Sequence, residues 1–310
     1  MLAKKAIVLP LLKHFLAGNK ISGSSNANDS RRTRRPEDPF SAVEMPLGIQ
    51  KMKNMEILSH VQVSDCGGEL TVIAQLLKLR KLGVALRSKN AKLDDLLRQI
   101  ENLSACLRSL SIRIDQTAAG PENQGARIPD ALHLFPNFIE RLSTRGIASG
   151  LIYIKDHHQL SKLTLSETFL GENDVRILGR LSKLRGLLLL HNSYTAGSQL
   201  SFKAEEFQCL RSLVVDCSGI TNMSFDNGAA PNLEMIVWSF TTLEALSGLH
   251  NLWRIKKLEL NGDCDRLDSV TEEIIWSSGH PNYPEIKHNP RKQHQEDGAT
   301  AAEASSSSAP

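Results

Sequence analysis

The chain has 310 residues, of which 23% are charged, 5% aromatic and 41% hydrophobic, and its formal net charge is +3. Leucine alone accounts for 45 residues, about one in seven. This composition excludes collagen, coiled coil, a disulfide scaffold and wholesale disorder, and the lack of any run of eighteen apolar residues excludes a membrane-spanning helix.

Charge is unevenly spread. Residues 1–50 hold eight bases against four acids, residues 281–310 hold three against four, and the stretch between is neutral at 26 against 26. A neutral body with a basic arm gives no reason to expect nucleic acid as a partner. The five cysteines form no Cys-x-x-Cys pair, which reads as reduced thiols in a cytoplasmic setting.

In chain order, Met1–Leu12 faintly imitates a signal peptide, but Lys13 and His14 interrupt the apolar run and no cleavage site follows. Residues 1–18 read instead as a partial N-terminal repeat or cap. Residues 19–45, with Arg31–Arg35 followed by Pro36 and Pro39, read as a disordered arm or loop insertion. The alternative for the arginine cluster is a nuclear-import or phosphate-contact patch.

From residue 46 one motif dominates. Leu58-x-x-Val61-x-Val63 is followed by Leu79-x-x-Leu82-x-Val84, Leu107-x-x-Leu110-x-Ile112 and Leu160-x-x-Leu163-x-Leu165. Leu184-x-x-Leu187-x-Leu189, Leu210-x-x-Leu213-x-Val215, Leu233-x-x-Ile236-x-Trp238 and Ile255-x-x-Leu258-x-Leu260 continue it, and a degenerate copy stands at Ile139-x-x-Leu142. Steps between the middle positions are 21, 28, 32, 21, 24, 26, 23 and 22 residues. Seven of the eight match the period of leucine-rich repeats, about 20–29 residues.

The alternating core of each copy places its leucines on one face of a short strand. Successive strands then stack in parallel, and the rest of each repeat returns along the outside. Leu93–Ile100 and Val175–Leu181 have the spacing of amphipathic helices on that return path. The expected fold is an α/β leucine-rich-repeat solenoid over residues 46–286, a curved horseshoe with parallel strands on its concave face and irregular helices and turns on its convex face. Three residues past the last strand leucine, where a polar side chain satisfies turn backbone, stand Cys66, Thr168 and Asn192, but Arg87, Ser218 and Thr241 elsewhere. Residues 117–128 read as a second loop, and residues 287–310 as a disordered tail.

The sequence holds no phosphate-binding loop, dinucleotide fingerprint, nucleophile elbow or His-Glu-x-x-His motif. His157-His158 would point to opposite faces of a strand, and a zinc site needs three or four converging ligands. No catalytic constellation, metal site or cofactor is expected, and the chain does not read as an enzyme.

The outward strand positions suggest a binding face instead. The column after each leading residue reads Ser59, Arg80, Arg108, Ser161, Arg185, Arg211, Glu234 and Lys256. The next reads His60, Lys81, Ser109, Lys162, Gly186, Ser212, Met235 and Lys257. Eight of the sixteen are basic and one is acidic, so an acidic partner surface would be steered there; the alternative is that basic side chains are simply good solvated neighbours of leucine. In Leu187–Leu190 both strand faces are apolar. Leu188 and Leu190 should point outward and continue through Val214 and Val237 as an apolar stripe, which marks either a contact site or a surface covered by the chain itself.

The stretches MPLGIQKMKNMEIL at 45–58, LLKLRKLGV at 76–84, LSKLTLSET at 160–168 and IWSSGHPNYP at 275–284 resemble the leucine-rich-repeat domain of plant nucleotide-binding disease-resistance proteins, in particular the coiled-coil class of grasses. The resemblance spans roughly residues 45–286. It implies a regulatory role in defence, with a receptor switch domain, a pathogen effector or a guarded host protein as partner. The upstream coiled coil and nucleotide-binding switch of those receptors are missing from this sequence, so ATP or ADP binding is not carried over. A monomer is expected. The competing readings are a stand-alone repeat adaptor in another complex and a truncated, non-functional remnant.

Overall fold

The structure, a computed structural model, describes residues 9–16, 42–46, 48–63, 68–86, 93–114, 136, 138–147, 154, 157–263 and 284–290. The Arg31–Arg35 cluster, Cys66, Arg87, the stretch 117–128 and the tail from 291 lie outside the described residues.

A single long parallel sheet carries the repeats. Its strands are β1 (His14–Leu16), β2 (Val43–Glu44), β3 (Ile57–Val63), β4 (Lys81–Leu86), β5 (Ser109–Ile114), β6 (Arg141–Arg145), β7 (Lys162–Ser166) and β8 (Gly186–Leu190). It continues through β10 (Ser212–Asp216), β12 (Met235–Thr242), β14 (Lys257–Asp263) and β15 (Glu285–Asn289). The order along the sheet is β1-β3-β4-β5-β6-β7-β8-β10-β12-β14-β15, with β2 pairing only β3. This is the solenoid expected from the period.

The physics is that of a two-residue alternation repeated in space. Leu82, Leu110, Leu142, Leu163, Leu187, Leu213, Ile236 and Leu258 are register partners from strand to strand, and each is buried. Two residues on, Val84, Ile112, Leu165, Leu189, Val215, Trp238 and Leu260 form a second buried row. Each repeat therefore buries its apolar face only by stacking on its neighbours.

The first repeat departs from the expected register. Leu58, not Val61, pairs with Leu82, and Val61 pairs with Val84. Ser59 and His60 together oppose the single residue Gly83, a bulge in which His60 takes a left-handed backbone with φ 61°. Met55, fully buried, therefore fills the leading position, and Glu56 and Ile57 fill the two columns assigned above to Ser59 and His60. A Cβ on Gly83 would lie 2.8 Å from the Ser59 hydroxyl, so the bulge also explains the glycine opposite it.

The return path changes character along the chain. Helices α1 (Gly68–Ile73), α2 (Leu93–Glu101) and α3 (Glu172–Gly179) cover the earlier repeats. In α3, the Gly171 N–H donates to Asp174 Oδ2 at 2.8 Å, and Val175 and Leu178 face the core. The later repeats return instead as a second parallel sheet of β9 (Gln199–Phe202), β11 (Asn222–Phe225) and β13 (Ala245–Ser247). Strands rather than irregular turns thus form the convex face there. They bury Leu200, Phe202, Met223, Phe225 and Leu246 against the inner face of the long sheet.

The long sheet also runs past both limits drawn from the motif. Strand β1 pairs Phe15 with Leu58, and β15 pairs Ile286 with Leu258 and reaches Asn289.

Candidate protein-binding face

From β4 onward, each strand of the long sheet offers three outward positions. From β4 to β15 the first row reads Lys81, Ser109, Arg141, Lys162, Gly186, Ser212, Met235, Lys257 and Glu285. The middle row reads Gly83, Ser111, Ser143, Thr164, Leu188, Val214, Val237, Glu259 and Lys287. The third reads Ala85, Arg113, Arg145, Ser166, Leu190, Asp216, Ser239, Asn261 and Asn289.

The apolar stripe lies where the alternation placed it. Leu188, Val214 and Val237 are register partners in one row, and all three are half-buried while their chain neighbours Leu187, Leu213 and Ile236 are fully buried. Leu190 stands in the next row between Ser166 and Asp216, also half-buried.

The basic residues fall into two sets. Lys81, Lys162 and Lys257 stand in the first row of the sheet. Arg80, Arg108, Arg185, Arg211 and Lys256 precede their strands and form a rim. There the Arg80 carbonyl accepts N–H bonds from Arg108 and Ser109, and the Arg185 carbonyl accepts from Arg211 and Ser212.

With the register corrected, the rim also carries Glu56 and Glu140 beside Glu234, and the charges interleave. Lys13 meets Glu56 at 3.2 Å and Arg108 meets Glu140 at 3.6 Å. Glu234 is shared by Lys256 at 2.8 Å and Arg211 at 3.8 Å. Hydrogen bonds from Lys13 and Lys256 hold the Glu56 and Glu234 carboxyls below the usual carboxylate range. The rim therefore mixes acids with its bases, adding Glu56 and Glu140 to the single acid, Glu234, counted in the two columns.

Positive charge is instead concentrated on the sheet itself, at residues the motif count missed. Arg113 and Arg145 are register partners on β5 and β6, and Arg141 opens β6. Two of these three sit in the degenerate repeat, and Arg113 and Arg145 occupy the third row, after the last apolar strand position. Reading that one further column would have found them. Arg145 also donates to Glu167 Oε1 at 3.3 Å.

A depression of about 220 Å³ runs across this end of the sheet, from β3 to β6. Its lining includes the small residues Ser59, Gly83, Ala85, Ser111 and Ser143, together with His60, Arg113 and Arg145.

Other expected features are relocated. His157 and His158 lie in the turn before β7, one buried and one exposed, rather than on a strand. Among the described residues, no three His, Cys, Asp or Glu side chains gather as metal ligands. The buried polar ladder is Thr168, Ser193 and Cys217, not Asn192 and Ser218. Thr168 Oγ1 donates to the Ser193 carbonyl at 3.3 Å, and Ser193 Oγ lies 3.2 Å from Cys217 Sγ. Left-handed residues at Glu167, Phe169, His191 and Asn192 shift the turn and turn Asn192 out to solvent.

The repeat geometry finds its counterpart in sequence: residues 40–286 match the family model of a leucine-rich repeat region. The chain belongs to the leucine-rich-repeat family. Leucine-rich repeats generally serve as protein-binding scaffolds. No curated protein matches the chain. Among 32 matching solved chains, it is similar to an internalin (inlF) of Listeria monocytogenes, with 14% identity, a TM-score of 0.42, and coverage of 81% of this chain and 80% of that one. It is also similar to the plant peptide hormone receptor RGFR1, solved in complex with RGF2, with 14% identity and a TM-score of 0.37. That match covers 80% of this chain and 42% of the receptor chain. Among the described residues, no helix is long and apolar enough to cross a membrane.

Proposed function

We propose that this leucine-rich-repeat chain is a non-catalytic recognition and regulatory module of the plant defence response, acting in the cytoplasm. Its partner on this reading is a protein: a receptor switch domain, a pathogen effector or a guarded host protein. The resemblance of residues 45–286 to grass disease-resistance repeats supports the biological setting.

The observation that carries the recognition role is the row Leu188, Val214 and Val237. Three register-matched apolar side chains stand half-buried on a sheet face whose other outward positions are mostly polar. On this reading the row is the contact surface, since contiguous apolar patches on a sheet face mark sites of protein contact.

The test is co-expression in leaf cells with nucleotide-binding switch domains of grass receptors, read by co-precipitation and by defence-induced cell death. The expected result is capture of a switch domain and a changed death response, both lost in Leu188→Asp. Neither capture nor any effect on defence output would overturn the proposal.

A further inference from the structure

The bases of the outward face differ in how they are balanced. Lys13, Arg108, Arg211 and Lys256 meet acids along the rim, and Lys257 meets Glu259 at 2.7 Å. Arg141, Lys162 and Arg185, on three consecutive repeats, are exposed, and among the described residues none of the three is ion-paired. Arg141 and Lys162 are register partners, and like charges directly opposite one another on neighbouring strands repel. Glu140, next to Arg141 in the chain, is held by Arg108 at 3.6 Å. This unbalanced cluster ends where the apolar row begins, because Lys162 pairs with Gly186, two residues before Leu188.

We propose that this junction receives an extended segment of the protein partner in which an acidic and an apolar side chain stand two residues apart. The carboxylate meets Lys162, with Arg141 and Arg185 beside it, and the apolar side chain covers Leu188. The inference deepens the recognition reading and rests on it.

Three observations support it. The first is spacing. Gly186 and Leu188 share one face of β8 and stand about 7 Å apart, the same separation as residues i and i+2 of an extended ligand. The second is room. A Cβ on Gly186 would lie 3.5 Å from Lys162 Cγ, so the lysine stem borders the space that a side chain at 186 would fill, and glycine leaves that space open beside Leu188. The third is polarity. Beyond Gly186 the first row continues through Ser212 and Met235 without charge, and Arg211 is drawn to Glu234. Uncompensated positive charge therefore stands at one end of the apolar row, and a segment of matching pattern is steered there in one orientation.

The experiment is fluorescence anisotropy at low salt on the full chain. The probe is a peptide of three Glu-Ser-Leu-Ser repeats, labelled at its N-terminus and amidated at its C-terminus, whose glutamates and leucines share one face when extended. One companion has three Gln-Ser-Leu-Ser repeats. The other has three Glu-Leu-Ser-Ser repeats, the same composition with glutamate and leucine on opposite faces. The first peptide should bind about fivefold more tightly than either companion, the upper range for an exposed ion pair. Lys162→Gln should erase its advantage over the glutamine peptide. Lys257→Gln, in the same row but already paired with Glu259, should change binding less than about twofold. Leu188→Ser should weaken the glutamate and glutamine peptides alike, by about tenfold.

Equal binding of the two glutamate peptides would overturn the two-residue spacing. Equal losses in Lys162→Gln and Lys257→Gln would reduce the effect to diffuse charge and overturn the site, as would undiminished binding to Leu188→Ser or no binding of the first peptide at all. If Lys162→Gln leaves capture of a switch domain intact while Leu188→Asp abolishes it, the two-part site fails and the recognition role stands.

Discussion

Phe202 and Phe225 stack across β9 and β11 with ring centroids 4.7 Å apart and planes 11° from parallel. Phe207 packs edge-on against Phe202 at 5.1 Å, and all three rings are buried. This aromatic column joins the second sheet to the core, where α-helices do that work in earlier repeats. Phe225→Ala should therefore cost about 3–5 kcal/mol, the range for emptying a buried aromatic site. Denaturant unfolding followed by circular dichroism measures it. A loss below about 1 kcal/mol would mean that the second sheet is not packed as described.

Two glycines separate backbone strain from collision. Gly228 and Gly248 both take left-handed backbones, with φ 81° and 77°. A Cβ on Gly228 meets nothing within 4 Å, whereas one on Gly248 would collide with the Phe225 carbonyl oxygen. Gly228→Ala should cost about 1 kcal/mol, from conformation alone. Gly248→Ala should cost clearly more and disturb the turn Leu249–Asn251 that follows it. Equal midpoints in urea would contradict the packing at Gly248.

The spacing of Leu82, Leu110, Leu163, Leu187 and Leu213 was enough to read the long sheet and its inner face, because a period-two pattern recurring every 20-odd residues has one simple stacking solution. It was not enough at Leu58, where Leu-x-x-Val-x-Val imitates the motif and the Ser59-His60 bulge carries the real register. The second sheet left a fainter mark: Leu200-x-Phe202 and Met223-x-Phe225, 23 residues apart, are too short for periodicity to distinguish from turns. On the candidate face, alternation placed Leu188, Val214 and Val237 correctly. The charge count was incomplete, because it omitted Glu56 and Glu140 from the rim and Arg113 and Arg145 from the third row. Those residues become neighbours only once the register is known.

The rim ladder makes a pH prediction. Lys256, through a 2.8 Å hydrogen bond, and Arg211 hold the Glu234 carboxyl below the usual carboxylate range. A carboxyl depressed in the folded state contributes stability that is present above its unfolded pKa and lost as pH falls through its folded one. In an NMR titration the Glu234 side chain should titrate below an ordinary glutamate. Lys256→Ala should move it back up, and high salt should do so in part. An ordinary midpoint in the native chain would contradict the pairing.

Cys217 gives a chemical test of the buried ladder. Burial pushes its thiol up despite the hydrogen bonding from Ser193, and it is only 2% exposed, whereas Cys209 is half-buried. Since the thiolate is the reactive form, a maleimide at pH 7.5 should label Cys209 in the folded chain and spare Cys217 until denaturant is added. Peptide mass spectrometry reads both sites. Equal labelling in native buffer would contradict the ladder.

The central claim is that the outward rows of the long sheet are the protein-recognition surface. The most direct measurement is the affinity of a captured switch domain for the native chain and for two single variants, Leu188→Asp and Leu77→Asp. Leu188 lies in the apolar stripe, whereas Leu77 is 63% exposed and follows α1 away from the sheet face. The account predicts a loss of at least about tenfold for Leu188→Asp, as for a truncated contact residue, and no change for Leu77→Asp. Equal affinity for Leu188→Asp and the native chain, or a loss confined to Leu77→Asp, would contradict it.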